Sequence, residues 1–241
     1  MDLGMPASSV ALELESAPCI PQAHAPRLHV APVPRVERGR LQTALKRALD
    51  VAFSATMIAL LSPLLLIVTV LIRTTSRGPA LFRQRRVGHN GQHFEMLKFR
   101  SMVDNAESLR EILDVLNERQ GGPVFKMRRD PRVTPIGRFI RRFSIDELPQ
   151  FFNVLRGEMI LVGPRPPIPS EVERYETWQL KRLSVPPGLT CSWQVAPDRG
   201  GMDFAEWVRL DLQYIEGWHL GRDLVLILRT IPAVLTGKGQ Y

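Results

Sequence analysis

VAFSATMIALLSPLLLIVTVLI, residues 51–72, runs for 22 residues without a charged side chain and is dominated by Leu, Ile, Val and Ala. At 1.5 Å per residue such a helix is about 33 Å long, enough for a bilayer core of roughly 30 Å. A core helix of a soluble domain is normally shorter and carries a polar face, so the segment reads as membrane-embedded. Ser62-Pro63 sits at its middle, where proline removes a helical hydrogen bond and pushes the preceding residue away from α geometry. Both flanks are basic: Lys46 and Arg47 precede the segment, and Arg73, Arg77, Arg83, Arg85 and Arg86 follow it. The positive-inside tendency therefore favours the cytoplasm at both ends and selects no crossing direction. A re-entrant helix-break-helix satisfies both observations, its arms 51–61 and 64–72 entering and leaving by one face. Ser62 can then supply a partner for backbone groups freed at the break. A proline-kinked span is the alternative.

On the N-terminal side, residues 1 to about 40 carry six prolines (6, 18, 21, 26, 32 and 34) and no apolar periodicity, the signature of a disordered tail. A basic start and a long apolar core are both missing, so this is not a signal peptide. Arg27, Arg35, Arg38 and Arg40 add weak attraction to anionic lipid. The whole chain of 241 residues allows one sizeable domain plus appendages. Its net charge of +8 points to an anionic partner: nucleic acid, an acidic membrane surface or phosphorylated substrates. Cys19 and Cys191 stand alone, without metal-type spacing or a disulfide framework, which suits a reducing compartment. The five histidines are scattered, and no zinc site is expected.

On the C-terminal side, Ala80 to Val87 and His93 to Phe99 are half-apolar runs around His89-Asn90-Gly91, and Asn-Gly is a strong hairpin signal. Lys98-Phe99-Arg100-Ser101-Met102 follows, with Lys98 and Arg100 on one face by strand alternation. That face is either a solvated basic edge or a place to hold a lipid-borne phosphate. Residues 105–120 read as an amphipathic helix with Asn105 as cap, Leu109, Ile112, Leu113 and Leu116 as its buried stripe, and Gly121-Gly122 as its stop.

Arg141-Arg142-Phe143-Ser144-Ile145-Asp146-Glu147-Leu148-Pro149 then places two adjacent carboxylates in the most basic part of the chain. From 123 to 166 there are nine Lys/Arg (126, 128, 129, 132, 138, 141, 142, 156, 165) against four acids (130, 146, 147, 158). Cations at that density repel one another, and an anionic ligand such as a phosphate or diphosphate accounts for the surplus. In such a field Asp146 is expected to stay ionised, the state that a nucleophile or a metal ligand needs. The structural alternative is that Ser144-x-x-Glu147 is a capping box for a helix carrying Leu148, Phe151, Phe152 and Leu155. Further on, Pro164 and Pro166 hold Arg165 in extended geometry, suited to meeting a phosphate oxygen pair or to capping carbonyls. Ser170-Glu171-Val172-Glu173 reads as a second capping box, and residues 202–217 as a helix whose apolar stripe includes Asp211, which is either paired or near a site. Residues 224–235 are apolar but too short to span.

Taken in order, Lys46-Arg47-x-x-Asp50, Ser62-Pro63, Gly78-Pro79, Gln84-x-Arg86-Val87-Gly88, Lys98 to Met102, Arg132-Val133-Thr134-x-Ile136-Gly137-Arg138, Asp146 to Gln150 and Val162 to Pro166 resemble the bacterial sugar transferases, the monotopic phosphoglycosyl transferases. The resemblance covers roughly residues 42–241. It implies an α+β, mostly helical fold: a cytoplasmic tail over 1–41, a re-entrant membrane segment with its flanking helix over 42–76, and a small cytosolic catalytic domain with a β-hairpin over 77–241. It implies transfer of a sugar-1-phosphate from a UDP-sugar to undecaprenyl phosphate, with release of UMP, at the cytoplasmic face of the bacterial inner membrane. This is the first membrane step of exopolysaccharide, capsule or O-antigen synthesis.

By the same resemblance Asp146 is the nucleophile, and Asp146 with Glu147 holds Mg²⁺. Lys98, Arg100, Arg141, Arg165 and Gln194 contact substrate or phosphate, and Ser62 and Pro63 form the membrane break. Cys191 follows Thr190 where the family usually has glycine, which bears on the shape of the nucleotide or sugar pocket. The partners expected are UDP-sugar, undecaprenyl phosphate and the lipid membrane, with a homo-oligomer left open and no nucleic acid. Two other classes remain to be weighed. A membrane-tethered basic nucleic-acid-binding protein explains the charge, and a non-enzymatic scaffold for polysaccharide assembly explains the membrane segment. Neither gives Asp146-Glu147 a role.

Overall fold

In the computed structural model of the chain, which describes residues 39–113, 123, 124, 127, 129–197 and 201–236, the apolar stretch forms one α-helix, α1 (Arg40–Thr75). Helical structure runs through Ser62 and Pro63, where an interruption between two arms was expected. The side chains give a physical reason. Pro63 has no N–H for the Ala59 carbonyl, and the Ser62 hydroxyl donates to that carbonyl at 2.9 Å. Most of the expected tail, residues 1–38, and the end of the expected 105–120 helix with its Gly121-Gly122 stop lie outside the described residues.

One stripe of α1 packs on the rest of the protein: Lys46, Asp50, Ser54, Met57, Ile58, Leu64, Leu65, Val68 and Ile72, at helical spacing. The opposite face exposes Leu45, Leu49, Leu60, Leu66, Ile67, Val70 and Leu71. Exposed apolar area of that extent is stable beside lipid and not beside water. Both ends of α1 are tied to the same body. The Arg47 fork donates to Val154 O at 2.6 Å and Leu155 O at 2.9 Å, and Lys46 Nζ meets Asp223 at 2.6 Å. At the far end Arg100 donates to Ser76 O at 3.0 Å and Ser76 Oγ at 2.8 Å.

The hairpin is where the Asn-Gly signal put it. Strands β1 (Leu81–Val87) and β2 (His93–Phe99) pair antiparallel, with Leu81 opposite Phe99 and Val87 opposite His93. Asn90 and Gly91 turn the chain with φ of 52° and 77°. After the short helix α2 (Ser108–Leu113), Thr134 caps α3 (Pro135–Arg142) by accepting from Gly137 N–H at 3.0 Å. Gly137 has to be glycine, because a Cβ there would collide with the Ser101 carbonyl. A 3₁₀ turn (Ile145–Glu147) leads to α4 (Gln150–Arg156).

Then β3 (Ile160–Val162) runs parallel to β4 (Gly188–Thr190), with Ile160 opposite Gly188 and Val162 opposite Thr190. Between them lie α5 (Pro169–Val172) and a 3₁₀ turn (Gln179–Ser184). The second expected capping box is displaced here: Glu171, not Glu173, closes on the Ile168 N–H at 3.2 Å. Two helices finish the described chain, α6 (Phe204–Glu216), capped by Asp203 and Glu206, and α7 (Leu220–Thr236). The outer face of α7 exposes Leu224, Val225, Leu228, Ile231 and Leu235. The core is mostly helical packing around these small sheets. Phe151, Leu161, Val162, Val185, Tyr214, Ile215 and Leu226 form its centre, and Trp193 stacks on Trp207 at 3.9 Å and 7° beside it.

Candidate active site

Ser144 does not cap a helix. Its backbone is left-handed, φ 53°, whereas an N-cap needs extended geometry to aim its hydroxyl at the next turn. The left-handed kink instead swings the 3₁₀ turn inward, so that Asp146 is buried and Glu147 is half-buried. Glu147, freed from capping, takes the Lys98 ammonium at 2.7 Å. Lys98 is carried there by β2, which is locked to α4 through Asn153. The Asn153 amide accepts from Leu97 N–H at 2.9 Å and donates to Glu95 O at 2.7 Å. With Asn153 fully buried, this bond fixes Lys98 one residue away from a rigid anchor.

The two carboxylates differ in environment. Burial pushes Asp146 up to about 6, and the neighbouring Glu147 charge adds to this against the Lys98 and Arg141 cations. Desolvation thus outweighs the cations in setting the Asp146 carboxyl, which at about 6 is still ionised at neutral pH. Burial acts on Glu147 in the same direction, yet its net shift is downward, because the Lys98 charge and hydrogen bond, with Arg165 and Arg86 behind them, overcome it. At neutral pH the pair is ionised, with Asp146 the more readily protonated and the less tightly paired.

The loop that carries Arg165 is held from two sides. Arg86 donates to Pro166 O at 2.8 Å, and Val87 N–H to Pro167 O at 2.9 Å, so β1 grips the loop from one side. From the other, Arg182 approaches Arg165 O at 3.4 Å. Arg182 is itself buried, with its fork on Asp211 at 2.7 and 2.8 Å and on the Tyr175 hydroxyl at 2.9 Å. Asp211 is therefore paired, and burial raises its carboxyl to about 6 in spite of Arg182. Cys191, fully buried beside this pair, has its thiol pushed up by burial and by the Asp211 charge, which makes it inert.

Of the expected site residues, Asp146, Glu147, Lys98, Arg141 and Arg165 are brought together. Arg100 lies elsewhere: just past the end of β2 it turns to Ser76 and pins the exit of α1. Gln194 sits half-buried on the 3₁₀ turn Trp193–Val195, beside Cys191. Two contributors carried no role in the sequence reading, Arg86 and Arg182. Neither had a local signal of its own, since Arg86 follows Arg83, Gln84 and Arg85, and Arg182 follows Lys181; only the fold shows which of these cations is buried.

Asp146 and Glu147 are the hard oxygen donors that Mg²⁺ prefers, and Mg²⁺ usually takes one or two carboxylates and completes its shell with phosphate oxygens and water. Among the described residues no group of three or more His, Cys, Asp or Glu could hold a metal, so Asp146 and Glu147 would offer such an ion at most two carboxylates.

A sequence model described as bacterial sugar transferase matches residues 41–237. The exopolysaccharide production protein ExoY of Rhizobium meliloti is 39% identical over 199 residues, covering 81% of this chain and 88% of that protein. The UDP-glucose:undecaprenyl-phosphate glucose-1-phosphate transferase of Caulobacter vibrioides is 42% identical over 205 residues, 81% of this chain and 72% of that protein. The galactosyl transferase CpsE of Streptococcus agalactiae is 51% identical over 162 residues, which is 67% of this chain but only 36% of that longer protein.

Proposed function

The chain belongs to the bacterial sugar transferase family, and we propose that it moves a sugar-1-phosphate from a UDP-sugar to undecaprenyl phosphate, giving undecaprenyl-diphosphate-sugar and UMP. The observation that carries this reading is a buried, unusually basic carboxylate, Asp146, beside a Glu147–Lys98 ion pair in a field set by Arg141, Arg86 and Arg165. A nucleic-acid-binding surface or a scaffold has no use for a buried carboxylate at that position.

An Asp146 carboxylate oxygen attacks the sugar-bearing phosphorus of the donor, and the P–O bond to UMP breaks as UMP leaves with the electron pair. A phosphosugar–aspartyl intermediate results. A phosphate oxygen of the acceptor then attacks the same phosphorus, the acyl-phosphate bond breaks, and Asp146 returns as a carboxylate. Each step brings two anions together, so charge neutralisation is the main catalytic requirement. The arginine forks suit bidentate contact with phosphate oxygens, and Lys98 both neutralises Glu147 and adds a point charge next to the nucleophile. Mg²⁺ held by Asp146 and Glu147 would supply further neutralisation of the diphosphate.

The contacts of α1 support a membrane placement for this reading. Lys46 and Arg47 at its start and Ile72 and Ser76 at its end all touch the folded domain, which supports a segment that enters and leaves by the same face. Pro63 would lie deepest, and the domain would rest on the cytoplasmic side, where UDP-sugars are found.

The test is incubation of the membrane-reconstituted protein with undecaprenyl phosphate, Mg²⁺ and a panel of UDP-sugars, following UMP. A panel is needed because the relatives' names include both glucose and galactose transfer. UMP release that depends on one donor is expected, and Asp146→Asn should abolish it; release by the asparagine variant at the wild-type rate would remove Asp146 as nucleophile.

A further inference from the structure

Helix α3 has two faces with different neighbours. Its inner face packs Ile136 and Ile140 against Leu64, Leu65, Val68 and Ile72, the second half of the membrane helix. Its outer face carries Arg138, Phe139 and Arg142, all exposed, with Phe139 56% exposed. The Phe139 ring meets Phe143 edge-on at 5.3 Å and 62°, and the Arg142 guanidinium lies 5.6 Å from the Phe143 ring centroid. Phe139 thus lies on the face of α3 that does not pack against α1, while α3 itself rests on the second half of that helix. Along the chain, Asp146 follows Phe143 by three residues, and the Arg141 cation just before the pair's second ring acts on the Asp146 carboxyl.

Phe139 is exposed and Phe143 only half-buried, so the pair loses part of the stabilisation that burial would provide, and the exposed Arg138 and Arg142 on the same helix do not make a core around it. Apolar ring faces next to guanidinium forks match a ligand with an unsaturated hydrocarbon end and a phosphate head. Of the molecules at a membrane surface, the acceptor has that combination at its reacting end: an allylic isoprene unit bonded directly to phosphate. A glycerophospholipid puts a glycerol between its phosphate and its tails, so with its phosphate at the arginine forks its chains begin farther from the rings than an isoprenyl chain bonded directly to phosphate. We propose that Phe139, Phe143 and Arg142, with Arg138 at the rim, are the seat of the acceptor's first isoprene units and phosphate. This deepens the function proposed above and rests on it.

The seat orders the acceptor before it reacts, so its loss should appear in acceptor kinetics alone. Phe139→Ala with Phe143→Ala is expected to raise the apparent KM for undecaprenyl phosphate by about fivefold or more, the usual scale for lost aromatic contacts. The KM for UDP-sugar should stay within about twofold, and Phe139→Leu should recover part of the loss. The preference for an isoprenyl phosphate over a saturated alkyl phosphate of equal length should fall in the double variant. Co-sedimentation with phosphatidylglycerol vesicles lacking acceptor should not change. An unchanged acceptor KM, a parallel rise in both KM values, or a loss of vesicle binding would each overturn the assignment, the last making the pair a general membrane anchor.

A measurement independent of turnover separates this proposal from the function it rests on. A benzophenone-bearing isoprenyl phosphate should label the wild-type peptide containing Phe139 and Phe143, and undecaprenyl phosphate should compete while phosphatidylglycerol does not. Labelling elsewhere, or competition by both lipids, overturns the seat. Failure of the wild-type protein to release UMP from any UDP-sugar would instead overturn the donor chemistry.

Discussion

Lys98 meets Glu147, and among the described residues Asp146 has no ion pair of its own, a division with a thermodynamic consequence. The Asp146 carboxyl is held up to about 6 by burial, against 3.8 for an exposed aspartate. Its ionisation in the fold is therefore unfavourable by roughly 2–3 kcal/mol, at about 1.4 kcal/mol per pKa unit. The sign follows from linkage. Because the folded value lies above the unfolded one, the cost is present in full above about pH 6 and vanishes below the unfolded value, 3.8. Asp146→Asn should therefore lose activity while gaining stability, on the order of 1–3 kcal/mol at pH 7.5 and almost nothing at pH 4. Thermal melts of both proteins at the two pH values measure it, and equal melting points at pH 7.5 would contradict the raised carboxyl. The same pKa sets an acid limb near pH 6 in the wild-type rate profile, with activity lost as pH falls through it. Lys98→Ala removes a cation that favours the carboxylate, so in that variant the limb should move to higher pH.

At the scale of elements, the site depends on how the Arg165 loop is gripped. β1 holds it through Arg86 and Val87, and α6 holds it through Asp211 and Arg182. Arg182 is 4% exposed, so removing its partner leaves a buried uncompensated charge. Asp211→Asn is expected to destabilise the fold by about 3–5 kcal/mol, the usual cost of breaking a buried pair. It should also lower turnover in the fraction that remains folded, because the Arg165 carbonyl loses a neighbour that is held in place. Denaturant unfolding combined with kcat per folded molecule separates the two effects, and unchanged values of both would show the pair to be idle. The hairpin acts differently. Its anchor is Asn153, and because that amide bonds backbone groups on β2, it sets the position of Lys98 without touching it.

For the molecule as a whole, the arrangement of α1 decides where the chemistry happens. A straight span would carry one end of the helix about 30 Å from the other across the bilayer, out of reach of a domain on one face. Both ends make buried contacts with the rest of the described chain, through Lys46 and Asp223 and through Ile72 and Ile140, and the re-entrant placement proposed above makes a prediction from this. Single cysteines at Thr43 and Asn90, in a background lacking Cys19 and Cys191, should both resist a membrane-impermeant thiol reagent on intact cells and react after permeabilisation. Labelling of Thr43→Cys from outside would mean that α1 crosses the membrane. Replacing Ser62-Pro63 with Ala-Leu restores the backbone hydrogen bond that Pro63 lacks, so if Ser62 and Pro63 set the proposed re-entrant placement it should expose position 43 and lower activity. Continued protection with full activity would take the topology out of the control of Ser62 and Pro63.

The sequence by itself determined the features whose cause is local. A charge-free run of 22 residues is apolar whatever surrounds it, Asn90-Gly91 turns a hairpin by its own backbone preferences, and Asp203 with Glu206 starts α6 within one turn. The adjacency of Asp146 and Glu147 was equally legible, and so was the surplus of cations around them. Tertiary structure decided which cation serves which anion. Lys98 and Glu147 lie 49 residues apart, Arg182 and Asp211 lie 29 apart, and Lys46 and Asp223 lie 177 apart. No periodicity links such pairs, because their meeting depends on chain closure and on which faces pack. Strand alternation put Lys98 and Arg100 together, and the fold sent one to the carboxylates and the other to the end of α1. The Ser144 capping box failed for the same reason. A left-handed residue and the Lys98 ion pair suit the packed site better than a local cap does, and burial, which no single residue encodes, then raised Asp146 to about 6.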